Sequence, residues 1–273
     1  MVKHLINILP GRIVYSLISE KERETTDQFL SQNVLGLQIS GQLTVETSSE
    51  SFSTKSGDMM LIRKHQLAKF TKSPSNNEDY RFLFIVLSND ILRKYAYEQE
   101  IEVKQRYNGK QNIFLPGNEY LIGFFKSLLP YMDNSQIEMS NKLGILKVEE
   151  AIELLLLSMP ELKSFLFDFS EPHKVDLEEF MLRNFHFNVP VEKFAQLTGR
   201  SITGFKRDFQ TIFGTSPRQW LQEKRLMEAH YQIENKGKKP ASIYLDLGFE
   251  SLSHFSSSFK RRYGIAPTKL LKK

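Results

Sequence analysis

The sequence predicts an α+β chain of two domains, an antiparallel β-barrel or sandwich with accompanying helices followed by an all-α domain. Three observations carry this expectation. Short β-rich runs broken by turn residues fill about Leu35 to Leu87, helical periodicity takes over after Asn89, and the last third is helical throughout and repeats itself. A length of 273 residues suits two cores, since a domain typically takes roughly 100–200.

Composition narrows the class. With 40% hydrophobic and 25% charged residues, 14 Gly and 10 Pro, the chain is neither disordered nor collagenous, and no apolar run approaches the ~20 residues of a membrane span. The opening MVKHLINILPGRIVYSL has too short and interrupted an apolar stretch for a secretory signal, so the expected location is cytoplasmic. The absence of cysteine excludes disulfides, thiolate catalysis and Cys-type zinc fingers.

The β-region comprises GLQIS, GQLTVETS, ESFST, DMMLIR, LAKFTK and YRFLFIVL, separated by turn chemistry at Gly41, Lys55-Ser56-Gly57-Asp58 and Ser73-Pro74-Ser75-Asn76-Asn77. Leu37, Ile39, Leu43, Val45, Met60, Ile62, Phe82, Phe84 and Val86 are candidates for its apolar interior. The segments DILRKYAYEQEI, EYLIGFFKSLLPYM and KLGILKVEEAIELLLLSM then carry helical spacing, the last with Leu143, Leu146, Ala151, Leu154, Leu155 and Met159 near one stripe. Helices at about 118–159 either form a homodimer seam or cover their own sheet. A linker at Ser170-Glu171-Pro172-His173 divides domain 1–170, with β-structure at about 35–87 and helices at about 89–168, from domain 171–273.

Charge is distributed unevenly across that boundary. Residues 1–170 hold 19 Lys and Arg against 21 Asp and Glu, whereas 171–273 hold 18 against 11, a net of +7. From Val189 onward the count is 16 against 7, a net of +9. A basic helical module joined to a near-neutral one suits a polyanion partner.

The helical segments of the second domain are VDLEEFMLRNF, VEKFAQLTG, SITGFKRDFQTIFG, PRQWLQEKRLMEAHYQIE, ASIYLDLGF and SLSHFSSSFKRRYG. At an offset of 50 residues, Ser201, Phe205, Phe209, Phe213, Gly214 and Pro217 recur as Ser251, Phe255, Phe259, Tyr263, Gly264 and Pro267. Each serine is placed to cap a helix, the aromatics at steps of four make a core stripe, and each glycine stops the helix. A shorter helix ending at Gly199 or Gly248 precedes each one, which is the sequence form of a helix-turn-helix, present here twice. Between them a long helix starts at Ser216-Pro217 and runs to about Glu234. At ~1.5 Å per residue it spans roughly 27–29 Å, of the order of the ~34 Å between successive major-groove faces of B-DNA.

The stretch from about Val189 to Leu271 resembles the DNA-binding domain of AraC/XylS-type bacterial transcription regulators. The resemblance lies in Gly248-Phe249, the Ser251 cap, Phe255 and Phe259, the basic Lys260-Arg261-Arg262 and the closing Gly264-Ile265-Ala266-Pro267. Ala195, Gly214-Thr215-Ser216-Pro217, Arg225-Leu226 and Ala229 support it. Gly41-Gln42-Leu43-Thr44-Val45 and Gly57-Asp58-Met59-Met60-Leu61-Ile62 resemble the family's cupin-like regulatory domain, and together with FKRDF they are similar to the subgroup that activates type III secretion genes, in which a partner protein can control that domain. One position departs from the pattern. Tyr244 stands where the second repeat usually has a small residue, the counterpart of Ala195, so its phenol must repack the contact between the helices or point outward.

The resemblance implies a sequence-specific regulator, an activator that engages RNA polymerase, whose N-terminal domain answers a small-molecule or protein signal and dimerises. The residues alone do not separate activator from repressor. A cupin-type enzyme or a partner-docking module fused to a DNA-binding domain stays the alternative.

With Phe205 and Phe209 inward, Thr203, Lys206 and Arg207 face base edges in the first unit, and Leu252, Ser253, Ser256 and Ser257 do so in the second. The phosphate candidates are Ser201 and Ser251 with the N–H groups of their helix starts, Arg218, Lys239, Lys260, Arg261 and Arg262. The first unit, with its longer charged side chains, is expected to supply most sequence discrimination. Trp220 is expected to pack the long helix on the first unit, and His254 is either a DNA contact or a plain surface residue. The six histidines, 4, 65, 173, 186, 230 and 254, form no metal-ligating spacing. No phosphate loop or nucleophile motif occurs, and the carboxylates of Glu149, Glu150 and Glu153 read as a solvated helix face. No cofactor, metal, membrane association or enzymatic activity is therefore expected.

Overall fold

The computed structural model describes residues 4–9, 13–18, 23–75, 78–103, 105–133 and 139–271. Two compact units emerge: residues 1–26 with 30–170, and Asp27–Phe29 with Glu171–Lys273.

The described residues include ten strands: β1 (His4–Leu9), β2 (Ile13–Ile18), β3 (Glu24–Leu30), β4 (Asn33–Ser40), β5 (Gln42–Glu46), β6 (Ser51–Ser53), β7 (Met59–Ile62), β8 (Gln66–Ser73), β9 (Tyr80–Leu87) and β10 (Asn112–Leu115). One sheet has the order β1-β2-β9-β4-β7-β10 and the other β3-β8-β5-β6. Pairing in the larger sheet is antiparallel throughout. The strands before Leu35 and the strand after Lys110 extend the β-structure beyond the span expected from sequence.

Alternation assigns each face of the larger sheet its own core. Met60, Ile62 and Phe82 pack with Leu43, Val45, Ala68 and Phe70 of the smaller sheet. Met59, Leu61, Leu83 and Ile85 point the other way, onto helices α1 (Asn89–Glu98), α2 (Glu119–Asp133), α3 (Asn141–Ser158) and the short α4 (Lys163–Leu166). Burial on both faces explains why β7 is apolar at every position. Leu37 and Ile39, expected inside the β-domain, belong instead to the helix-side core. On β4 the residues that face the smaller sheet are the even ones, and at Gly36 the Phe82 ring fills the place of a side chain. Leu121, Phe124, Phe125 and Leu128 of α2 and Val148, Ala151, Ile152 and Leu155 of α3 close that core. Leu146, placed on the α3 stripe by sequence, is 50% exposed.

One buried ion pair ties the end of this unit to its body. Arg63 Nη2 donates to Asp168 Oδ2 at 2.5 Å, while its guanidinium lies over the Tyr107 ring. Asp168 also accepts from the backbone N–H groups of Tyr107 and Ser170 and from the Ser170 hydroxyl.

The second unit is helical: α5 (Leu177–Asn184), α6 (Val191–Leu197), α7 (Ile202–Phe213), α8 (Pro217–Lys236), α9 (Pro240–Ile243), α10 (Leu252–Tyr263) and α11 (Pro267–Leu270). Asp176, Ser201, Ser216 and Ser251 cap α5, α7, α8 and α10 through their side chains. Left-handed glycines end α7, α8 and α10. The helix expected at ASIYLDLGF is shorter than its counterpart α6: a single turn starting at Pro240, then turns through Gly248. Tyr244 resolves as a packed residue, half-buried against the core of Leu226, Ala229, Ile233, Phe255 and Phe259.

Candidate nucleic-acid interface

Both repeats build the same device. In α7, Phe205 and Phe209 are fully buried and the Ser201 hydroxyl accepts from the Gly204 N–H at 3.1 Å. In α10, Phe255 and Phe259 are fully buried and the Ser251 hydroxyl accepts from the His254 N–H at 3.2 Å. With the aromatic stripe inward, the opposite face of each helix is fixed by the 3.6-residue period.

That face in α7 carries Thr203, Lys206 and Arg207, all exposed, beside the exposed cap Ser201. Gln210, also exposed, continues it one turn on from Lys206 and was not singled out from sequence. Its spacing of four from Lys206, and its match to Lys260 at the offset of 50, are the signals that point to it. Lys206, Gln210, Glu192 and Arg218 line one cleft, with Arg218 exposed in the first turn of α8.

The face in α10 is more polar than charged. Leu252, Ser253 and Ser257 are exposed and Ser256 is half-buried. The Ser257 hydroxyl donates back to the His254 carbonyl at 3.0 Å, which occupies its proton locally. His254 is exposed, edge-on to Phe249. Lys260, Arg261 and Arg262 sit together in the last turn of α10, and Lys239 is exposed at the start of α9. Arg262 differs from its neighbours in donating through Nε to Glu223 of α8 at 2.6 Å, and that hydrogen bond holds its guanidinium charged. Any phosphate contact by Arg262 therefore competes with Glu223.

Arg207 is anchored. Its Nη2 lies 3.3 Å from Asp208 Oδ1, and Asp208 Oδ2 accepts from Arg200 Nε at 3.1 Å with Lys174 Nζ at 3.5 Å. The Arg200 hydrogen bond, more than the other two cations, keeps the Asp208 carboxyl below its ordinary value. Arg200 Nη1 donates to the carbonyls of Thr198, in the turn, and Val175, in the segment entering the unit. Gly199, at φ +64°, lies so close under the His173-Lys174 peptide that a Cβ there would collide with it. The entering segment thus lies across the first helix-turn-helix, and one carboxylate links it to the exposed face of α7.

Between the repeats, α8 has 20 residues, about 30 Å at ~1.5 Å per residue. Trp220 packs edge-on to Phe209 at 5.7 Å and against Phe213 at 4.7 Å, seating α8 on the first helix-turn-helix as the sequence predicts. Among the described residues, no cluster of three His, Asp or Glu could hold a metal ion. No described helix is long and apolar enough to cross a membrane.

Comparison with known proteins agrees with this architecture on both sides of the boundary. Residues 33–166 match the ExsA N-terminal regulatory domain and residues 194–273 a helix-turn-helix domain. The chain is 29% identical over 239 residues to the HTH-type transcriptional regulator ExsA of Pseudomonas aeruginosa, covering 85% of this chain and 83% of that protein. It is 26% identical over 245 residues to the virulence regulon transcriptional activator VirF of Yersinia enterocolitica, covering 87% and 88%. A solved structure of ToxT from Vibrio cholerae aligns with 99% of this chain and 98% of its own at 15% identity and a TM-score of 0.42. The chain belongs to the AraC family of transcriptional regulators.

Proposed function

We propose that this chain is a transcriptional activator, and not an enzyme, that binds duplex DNA by placing α7 and α10 in successive turns of the major groove. The observation that carries the reading is the duplicated Ser-capped helix, aromatic face buried and polar face exposed, in a segment of net charge +9 over residues 189–273. Thr203, Lys206 and Arg207 read base edges, the Arg207 fork suiting guanine O6 and N7. Leu252, Ser253, Ser256 and Ser257, shorter and mostly hydroxylic, contribute register and shape readout. Ser201, Ser251, Arg218, Lys239, Lys260, Arg261 and Arg262 take phosphates.

The N-terminal unit answers a small-molecule or protein signal and mediates dimerisation through residues 118–159. Leu146 and Leu157, 50% and 75% exposed on the outer side of α3, support that seam. The name of the matched VirF supports activation, for which RNA polymerase is the expected partner, and binding to DNA supports a cytoplasmic location.

Selection of duplexes from a random library by the full-length chain, followed by a salt titration on the selected site, tests the reading. The expected result is one recurrent bipartite motif and a log–log salt slope of several units. No enriched motif, with a flat salt response, would refute it.

A further inference from the structure

We infer that Arg225 is a positioning residue that fixes the placement of the two recognition helices relative to one another. It lies in α8, and all three nitrogens of its guanidinium donate to backbone carbonyls. Nε reaches Phe185 O at 2.8 Å and Nη2 reaches Phe187 O at 2.8 Å, while Nη1 reaches Gly248 O at 2.9 Å. Phe185 and Phe187 belong to the segment that leaves α5 and leads into α6, the first helix of the first helix-turn-helix. Gly248 belongs to the turn of the second. One rigid planar fork therefore clamps both helix-turn-helix repeats and the helix between them.

The surroundings show that this junction is built closely. Gly248 sits at φ +78°, and a Cβ there would lie 2.5 Å from His186 O and 2.8 Å from Arg225 Cζ. Burial lowers the Arg225 guanidinium to about 10, which still leaves it charged at neutral pH. The same turn of α8 meets the second helix-turn-helix through two more side-chain hydrogen bonds. Gln222 Nε2 donates to the buried Ser258 hydroxyl at 3.3 Å, and Glu223 accepts from Arg262. Of the three contacts, only that of Arg225 also reaches back to the segment leading into the first helix-turn-helix. A lysine could not replace it, because one ammonium cannot meet three carbonyls spread around a planar fork.

The inference rests on the bipartite reading of DNA only for its consequence, so its first test uses no DNA. The chain has no cysteine, so spin labels at Gln210→Cys and Lys260→Cys, on exposed positions of α7 and α10, report one distance by electron double resonance. The full chain is expected to give a single narrow distribution and Arg225→Lys a broader, displaced one. Gln222→Ala, which loses a hydrogen bond to Ser258 of the second helix-turn-helix and none to the first, is expected to resemble the parent. On unlabelled protein, the preference for a selected duplex over the same duplex with one base pair inserted between its halves is expected to fall about tenfold in Arg225→Lys, the equivalent of one lost charge-assisted hydrogen bond. Affinity for either half alone is expected to persist. An unchanged distance distribution in Arg225→Lys would overturn the inference, as would loss of folded Trp220 fluorescence, which marks a packing role alone. A parent chain indifferent to the inserted base pair would instead overturn the bipartite reading and leave the distance result standing.

Discussion

Replacement of Gly248 by alanine should cost the second unit far more than the same change at Gly264, although both glycines are left-handed, at φ +78° and +75°. An L side chain in that region costs roughly 1–2 kcal/mol, of which about 0.4–1 kcal/mol returns through the stiffer unfolded chain. At Gly264 nothing lies within 4 Å of the added Cβ, so the net loss is about 1 kcal/mol. At Gly248 the Cβ meets His186 O at 2.5 Å and Arg225 Cζ at 2.8 Å, and neither belongs to a free side-chain end. Relieving the contact moves the peptides that Arg225 binds, and one charge-assisted hydrogen bond lost there adds about 1.5–3 kcal/mol. The total is about 3 kcal/mol or more, a difference from Gly264→Ala of the order of 10 °C in Tm for a unit near 100 residues. Trp220, the only tryptophan, reports unfolding of this unit from its contacts with Phe209 and Phe213. Equal losses in the two variants would refute the packing argument for the junction.

Arg207→Ala is expected to relax base preference at one or two positions of the selected site, by about 1–3 kcal/mol, whereas Ser257→Ala changes little because its hydroxyl already bonds the His254 carbonyl; parallel site selections with the two variants check this. Glu223→Ala frees Arg262 and is expected to steepen the salt dependence on a random-sequence duplex by about one unit of slope, read by anisotropy titrations. Asp168 supplies a pH signature: burial raises its carboxyl, and hydrogen bonds from Ser170, Tyr107 and Arg63 outweigh that to bring it to about 2. A depressed carboxyl stabilises fully above its unfolded value and loses that contribution as pH falls towards the folded one. The chain should thus be about 2 kcal/mol more stable than Asp168→Asn at neutral pH, with the gap closing between pH 4 and 2 in urea titrations.

The parts of this architecture that the sequence discloses are those set by local rules. A Ser cap, phenylalanines at steps of four and a terminal glycine specify α7 and α10 residue by residue, and Ser216-Pro217 specifies the start of α8. The strands before Leu35 were less visible, since the apolar runs on either side of Pro10-Gly11 lack clean alternation until their partner β9 is known. That Leu37 and Ile39 pack on the helix side and not between the sheets is not legible in the sequence, because a sheet buried on both sides gives no polar face to read against. On the outward face of α7, periodicity places Thr203, Lys206 and Arg207 in the open, where the structure has them. It could not show that Asp208, the neighbour of Arg207, is itself held from the entering segment by Lys174, or that Glu223 holds Arg262, because those two ties join residues distant in sequence. Arg225 stood out only as part of a family pattern; its role depends on carbonyls 23, 38 and 40 residues away.

Chemical protection of guanine N7 in the major groove, mapped on a selected duplex bound by the full-length chain, tests the central claim most directly. Two clusters of protection about 10 base pairs apart on one face of the duplex, with only the cluster under α7 lost in Arg207→Ala, are the expected result. Protection confined to a single turn of the groove, unchanged by any substitution in α10, would contradict the reading of two recognition helices set by one linker helix.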